Sequence, residues 1–223
     1  MKRSQINQII SGNIEFIRKL GFCLPPFAHW GLQDFKSNEP ECRQLITNML
    51  GWDVSDYGFG NFFSCGIVAF TIRSGNHESG AYVKPYAEKL LILEPGQACP
   101  MHFHPNKIED LINRGGGDFI IRLYNDNGDG GLSEEPVEVF MDGRVFTCGA
   151  GEEIRVKPGE SITLRPRQYH TFWADDKKVL FGEVTMNDNV HHFYGKNPGL
   201  MEIEEDEPEK HLLSNDYYKY FKW

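Results

Sequence analysis

Between residues 66 and 186 the sequence breaks into nine short apolar or alternating runs, at 66–72, 88–94, 108–113, 118–124, 137–141, 144–147, 161–164, 169–174 and 178–185. Turn formers divide them: Glu94-Pro95-Gly96, Asn127-Gly128-Asp129-Gly130-Gly131, Asp142-Gly143 and Lys157-Pro158-Gly159. Runs of this length are strand-sized, and Gly, Asn, Asp and Pro supply the backbone angles that reverse a chain, so the pattern predicts an antiparallel sandwich or barrel. No internal repeat with a period of 20–50 residues is present, which argues against a solenoid or a propeller.

The flanks read differently. Over residues 4–20, Ile6, Ile9, Ile10, Ile14, Ile17 and Leu20 recur at spacings of three and four, the mark of an amphipathic helix with Ser4 as its cap and Gly21 as its stop. The stretch Leu24 to Gly31 mixes turn formers with aromatics and predicts irregular structure, followed by a short helix around 38–50. The acidic segment Glu202-Ile203-Glu204-Glu205-Asp206-Glu207-Pro208-Glu209 ends the strand pattern, and the aromatic stretch 217–223 closes the chain. With 223 residues, one domain spanning 1–223 is expected, its helical segment of about 1–50 packed on the strands.

Composition excludes several classes. A net charge of −9 offers nothing to a nucleic-acid backbone or an anionic membrane surface, which favour basic patches. A small neutral ligand suits it better. The cysteines Cys23, Cys42, Cys65, Cys99 and Cys148 are odd in number and never form Cys-x-x-Cys, so free thiols in a reducing compartment are expected rather than disulfides or thiolate zinc. The N-terminus lacks a signal-peptide core and no run of about 18 apolar residues occurs. A cytoplasmic location is the resulting expectation.

The stretch Gly96-Gln97-Ala98-Cys99-Pro100-Met101-His102-Phe103-His104-Pro105-Asn106-Lys107-Ile108-Glu109 carries the chemistry. Residues two apart on a strand share a face, so His102 and His104 both aim inward. A turn at Pro105-Asn106 and a returning antiparallel strand bring Glu109 beside them. A His-x-His pair alone is more often an exposed polar alternation, but here glycine, glutamate and a later histidine, His170, stand at matching distances. The remaining histidines, His29, His77, His191, His192 and His211, have no partner spacing and read as surface or packing residues.

In these markers the chain resembles the cupin superfamily. Its first motif (Gly, five residues, His-x-His, four residues, Glu, six residues, Gly) is met from Gly96 through His102, His104 and Glu109 to Gly116. The second motif is met by Gly159 and His170, eleven positions apart, but the internal proline is displaced to Pro166 and Arg167 stands where glycine is common. Within cupins, Met101-His102-Phe103-His104, Glu109-Asp110-Leu111-Ile112-Asn113-Arg114-Gly115-Gly116-Gly117 and Ile203-Glu204-Glu205-Asp206-Glu207-Pro208 resemble the bacterial D-lyxose isomerase family. The resemblance implies a mainly β double-stranded β-helix (jelly-roll) barrel with N-terminal helices, a homodimer, and aldose–ketose isomerisation. It also implies a catalytic glutamate in the acidic segment, with Glu204 leading and Glu205, Asp206 and Glu207 as competitors.

Three imidazoles and one carboxylate suit Mn²⁺, Co²⁺, Fe²⁺, Ni²⁺ or Zn²⁺, with Mn²⁺ the favoured single ion and His102, His104, Glu109 and His170 its ligands. Four ligands on a six-coordinate ion leave two neighbouring positions, which match the oxygens on C1 and C2 of an open-chain sugar. Lys107, beside the hairpin, and Lys89, on the preceding strand, are placed to hold hydroxyls or stabilise oxyanion charge. Asn113–Gly117 reads as a sharp bend that lets backbones pass closely, not a phosphate loop. Two other functions fit the same ligands: an oxygen-activating iron cupin, and a sugar-binding module without turnover.

Overall fold

The computed structural model describes residues 1–76, 82–187, 190–195 and 197–222; His77 and Trp223 lie outside them. Helices α1 (Arg3–Lys19), α2 (Leu32–Ser37) and α3 (Arg43–Thr47) precede the strands. These are β1 (Gly51–Ser55), β2 (Ile67–Asn76), β3 (Tyr82–Leu93), β4 (Ala98–Phe103), β5 (Glu109–Gly115), β6 (Phe119–Asn125), β7 (Val137–Met141), β8 (Arg144–Cys148), β9 (Glu153–Val156), β10 (Ser161–Leu164), β11 (Gln168–Ala174), β12 (Val179–Met186) and β13 (His192–Phe193). Helix α4 (Tyr217–Tyr220) ends the order. The nine expected runs all became strands. Strand β4 is the one expected to carry the His-x-His pair, and β1, β9 and β13 are additions; the helix expected at 38–50 is the shorter α3, and α2 before it is a further addition.

Among the described residues the strands form two antiparallel sheets, ordered β1-β2-β3-β12-β5-β10-β7-β8 and β13-β4-β11-β6-β9. From β3 onward the chain changes sheet at almost every strand, with β7 and β8 the one hairpin kept within a sheet. That alternation is the double-stranded β-helix, and it encloses a core of Leu93, Leu111, Phe119, Ile121, Phe172 and Phe181, among others.

The large sheet is apolar on both faces because side chains alternate along each strand. On β2 and β3, Ile67, Ala69 and Leu91 face the barrel, whereas Val68, Phe70, Leu90 and Ile92 face outward. Helix α1 covers this outer face with Ile6, Ile10 and Ile17, all fully buried. The expected stripe therefore packs as read, except that Leu20 at its end is 36% exposed. A third cluster joins Phe35 of α2 and Ile46 of α3 to Tyr217 and Phe221 of the C-terminal aromatic stretch. None of the described helices is long and apolar enough to cross a membrane, and all five cysteines are free thiols.

The acidic segment holds α1 in place. Arg3, fully buried, donates two hydrogen bonds to Glu205 at 2.8 Å each and two to Asp216 at 2.9 Å each. Ser4 is not the helix cap: its amide and hydroxyl donate to Asp206 at 2.9 and 2.7 Å. A carboxylate from the other end of the chain thus sits at the positive end of the helix. Asn7 donates to Glu207 at 2.6 Å.

The bend at Asn113–Gly117 has the form expected. Gly116 has φ +98°, and a Cβ there would lie 2.2 Å from the Lys178 carbonyl and 2.7 Å from the Phe16 ring. The buried Asn113 side chain ties the bend together, donating to Gly117 O and Val156 O at 2.9 and 2.8 Å and accepting from Gly115 N–H at 2.9 Å. Arg167 explains itself in the same terms. The turn Arg165–Gln168, closed by a 3.2 Å bond from Gln168 N–H to Arg165 O, places Pro166 second and Arg167 third. Its φ of +60° is the left-handed geometry for which glycine is the usual choice. Arginine holds it through an ion pair with Asp126 and a cation–π contact 5.5 Å from the Phe103 ring.

Two stability predictions follow from these contacts. Gly116→Ala should lower the urea midpoint by the equivalent of about 2 kcal/mol or more, since a strained φ and a backbone overlap coincide. The Arg3 hydrogen bonds hold the Glu205 carboxyl down to about 2 from an ordinary 4.5, Lys219 helping and burial opposing. Its contribution is therefore complete above pH about 4.5 and lost as pH falls toward about 2. Wild type should melt above Glu205→Gln at pH 6, and the two melting temperatures should converge near pH 2.

Candidate active site

His102 and His170 face each other across β4 and β11, where they are register partners. Their Nε2 atoms are 3.1 Å apart. Glu109 opens β5 and comes from the opposite sheet, so the expected hairpin is a crossover: the turn after Phe103 carries the chain between sheets. Glu109 Oε1 lies 3.5 Å from His104 Nε2 and 3.4 Å from His170 Nε2. All four side chains are buried.

Each ring is held by its other nitrogen. Nδ1 of His102 lies 2.8 Å from Pro100 O, that of His104 2.8 Å from Val190 O, and that of His170 3.0 Å from Gln168 O. A carbonyl only accepts, so each Nδ1 carries the proton and each Nε2 presents a lone pair. Burial, then the neighbouring rings, pushes His102 well below the ordinary histidine range. Burial pushes His170 down to about 4 despite the opposing charge of Glu109. Neutral Nε2 lone pairs facing each other and a carboxylate at 3.1–3.5 Å repel unless a cation lies among them. These separations also suit neighbouring donors around one ion bound at about 2.1 Å, which lie about 3 Å apart. The residues present fit a divalent metal, and His104, Glu109 and His170 set one donor atom each within 4.8 Å of one another.

Beside this group the cavity holds a chain of alternating charges. Lys107 Nζ is 2.6 Å from Glu109 Oε2 and 3.2 Å from Glu183 Oε1, and Lys89 Nζ is 3.0 Å from the same Glu183 oxygen. Burial resists the charge on each buried member, but the pairing outweighs it. Glu183 stays below the ordinary carboxylate range through Lys89 and Lys107. Glu109 stays well below it through the Lys107 ammonium. The Lys107 ammonium is raised by Glu183 and Glu109. The whole lies in a cavity of about 350 Å³, within the size range of small-molecule sites.

Lys89 and Lys107 are thus where the sequence places them, next to the histidines. Glu204 is not. Its side chain is 67% exposed and 3.8 Å from Lys2, itself exposed, and it does not line the cavity. Glu205, Asp206 and Glu207 are engaged with Arg3, Ser4 and Asn7. Two residues that the sequence reading passed over line the cavity instead. Glu183 is the acid in the otherwise apolar run Val179-Leu180-Phe181-Gly182-Glu183, on the same face of β12 as Phe181. That inward parity was the signal available. His191, read as a surface residue, has its ring 4.4 Å from that of His104. Nothing in its spacing reveals this, since β13 brings it back by pairing with β4.

A family profile described as D-lyxose isomerase matches residues 1–217. The chain belongs to the D-lyxose isomerase family. A D-lyxose/D-mannose isomerase of Serratia proteamaculans is 40% identical over 226 residues, covering 99% of each chain. A second, from Escherichia coli O157:H7, is 38% identical and covers 99% of this chain and 100% of its own. Among solved structures, the L-ribose isomerase of Cellulomonas parahominis with L-ribose superposes with a TM-score of 0.59 at 15% identity, over 92% of this chain and 98% of that one. That likeness shows the fold. As a D-lyxose isomerase family member the chain is a sugar isomerase, an enzyme that interconverts an aldose and a ketose.

Removing one imidazole from the convergent group tests its purpose. His102→Ala should weaken binding of a divalent ion by more than about 100-fold, read by equilibrium dialysis with metal analysis, while far-UV circular dichroism stays unchanged. Undiminished metal uptake in that variant would separate His102 from coordination.

Proposed function

We propose that this chain interconverts D-lyxose with D-xylulose, and D-mannose with D-fructose, in the barrel cavity. Residues 1–223 act as one domain, in a cytoplasmic homodimer. One divalent ion per chain, Mn²⁺ before Co²⁺, Fe²⁺, Ni²⁺ or Zn²⁺, is held by His102, His104, Glu109 and His170. The names of the related enzymes support the sugars, and the converging donor atoms support the ligands.

The observation that carries the mechanism is the Glu183 carboxylate, buried between two ammonium groups in the cavity that holds the converging histidines. When bound, the ion supplies Lewis-acid polarisation of the sugar carbonyl. Glu183 takes the proton from C2 of the open-chain aldose. The electron pair of the broken C–H bond forms the C1–C2 double bond, and the carbonyl π pair moves onto O1. Glu183 then returns the proton to C1, while the O2 hydroxyl proton passes to O1, giving the ketose. Lys107, 3.2 Å from the base, stabilises the negative charge that develops on the sugar oxygens.

Glu109 is a poorer base, because one oxygen faces the histidines and the other is bonded to Lys107. Glu204 faces solvent. Two flanking cations keep Glu183 ionised at neutral pH, at the expense of basicity, so it needs a carbon already acidified by an adjacent polarised carbonyl. Base and converging donors therefore belong in one cavity.

Chelator-stripped enzyme, reloaded with Mn²⁺ without oxygen and given D-lyxose or D-mannose, should form ketose by NMR, with deuterium entering C1 in D₂O. Failure of well-folded, metal-loaded protein on both sugars would end the substrate reading. Glu183→Gln should lower kcat by about 10²–10⁴-fold at unchanged metal content. Glu204→Gln should keep kcat within about twofold, and its inactivity would restore the acidic segment as the source of the base.

A further inference from the structure

The chemistry at C1 and C2 occupies one end of the cavity. Polar side chains at the other end have no part in it: Asp53 and Ser55 of β1, Thr71 of β2, and Asn48 after α3. Register makes them a continuation of the catalytic row. Glu183 of β12 pairs with Lys89 of β3, Lys89 with Thr71 of β2, and Thr71 with Gly51 of β1, two residues before Asp53. Adjacent strands lie about 4.8 Å apart, so the row leads away from the reacting carboxylate along the inner face of the large sheet. Asp53 faces inward, because its neighbours Trp52 and Val54 are buried in the outer layer against α1.

Asp53 is half-buried, and among the described residues no side chain hydrogen-bonds or ion-pairs with it. Burial pushes its carboxyl above the ordinary range, the Val54 amide and Lys89 opposing. On the same wall Asn48, only 9% exposed, donates from Nδ2 to Ser74 O at 3.0 Å, and its Oδ1 has no partner. An amide oxygen with no donor and a carboxylate met only by the Val54 backbone amide stand on one cavity wall and have room for a ligand that brings donors, since an unmet buried acceptor is costly. An open-chain aldose brings them. Its hydroxyls beyond C3 take no part in proton transfer, yet they lose water on entering the cavity.

We propose that Asp53 is a specificity-determining residue, whose carboxylate accepts hydrogen bonds from the aldose hydroxyls beyond C3. This rests on the reading that Glu183 works at the C1–C2 end of the same sugar. A carboxylate has two oxygens and takes two hydroxyls at once, so Asp53 selects for sugars that carry adjacent hydroxyls at that distance from the carbonyl.

The test is a cycle between enzyme and substrate. Wild type and Asp53→Ala are assayed with D-lyxose, 4-deoxy-D-lyxose and 5-deoxy-D-lyxose, in the Mn²⁺-loaded form. With wild type, at least one deoxy sugar should lose about tenfold or more in kcat/KM. In Asp53→Ala that penalty should shrink to within about twofold, with KM for D-lyxose raised and kcat and metal content little changed. Asp53→Asn, which preserves shape and one acceptor oxygen, should fall between and serves if the alanine variant does not fold. Persistence of the full deoxy penalty in both variants would overturn the proposal, as would an equal loss on all three sugars together with a lower melting temperature. Wild-type turnover of D-lyxose and D-mannose is the separate readout for the substrate reading. Should wild type isomerise neither, that reading falls, and the cycle is run on the aldose it does isomerise with the matching deoxy sugars.

Discussion

Three buried charges in contact, Glu183, Lys107 and Glu109, with the half-buried Lys89 beside them, are the constraint around which the rest of the structure is arranged. Any one of them alone inside a barrel would cost several kcal/mol in lost hydration. Alternation in sign along contacts of 2.6–3.2 Å offsets that cost and keeps Glu183, Lys107 and Glu109 ionised. Replacement by packed hydrophobes would serve stability as well or better. In the mechanism we propose, the row supplies an ionised base and a nearby cation for negative charge on a sugar oxygen.

The two-sheet barrel makes that row possible. Because successive strands change sheets, residues close in sequence, such as His104 and Glu109, meet from opposite walls, and residues far apart, such as His102 and His170, meet as register partners. The outer face of the large sheet would be left wet without α1, and α1 is fastened by Arg3 to Glu205 and Asp216 from the far end of the chain. The inner face of the same sheet carries Lys89, Thr71 and Asp53. Chain ends and catalytic wall are thus two sides of one packing layer.

The acidic string 202–208, which the family resemblance singles out, packs against the N-terminal helix. It helped to identify the family, and the family stands, yet its side chains cap and clamp a helix. Arg167 is the converse case: a departure from the motif at a glycine position, accommodated because an ion pair and a ring contact hold the left-handed turn.

By itself the sequence determined the strand-rich barrel, the amphipathic helix over it, the converging His102, His104, Glu109 and His170, and the nearby lysines. All of these are local periodicity or fixed spacing, which a strand or helix converts directly into facing. Only the tertiary structure decided that Glu183 lies in the cavity while Glu204 lies in solvent, that His191 returns beside His104, and that Asp53 ends the polar row. Those outcomes depend on which strands become neighbours and on which face of a sheet the chain ends close, and pairing between distant strands leaves no mark in the spacing of the residues it brings together.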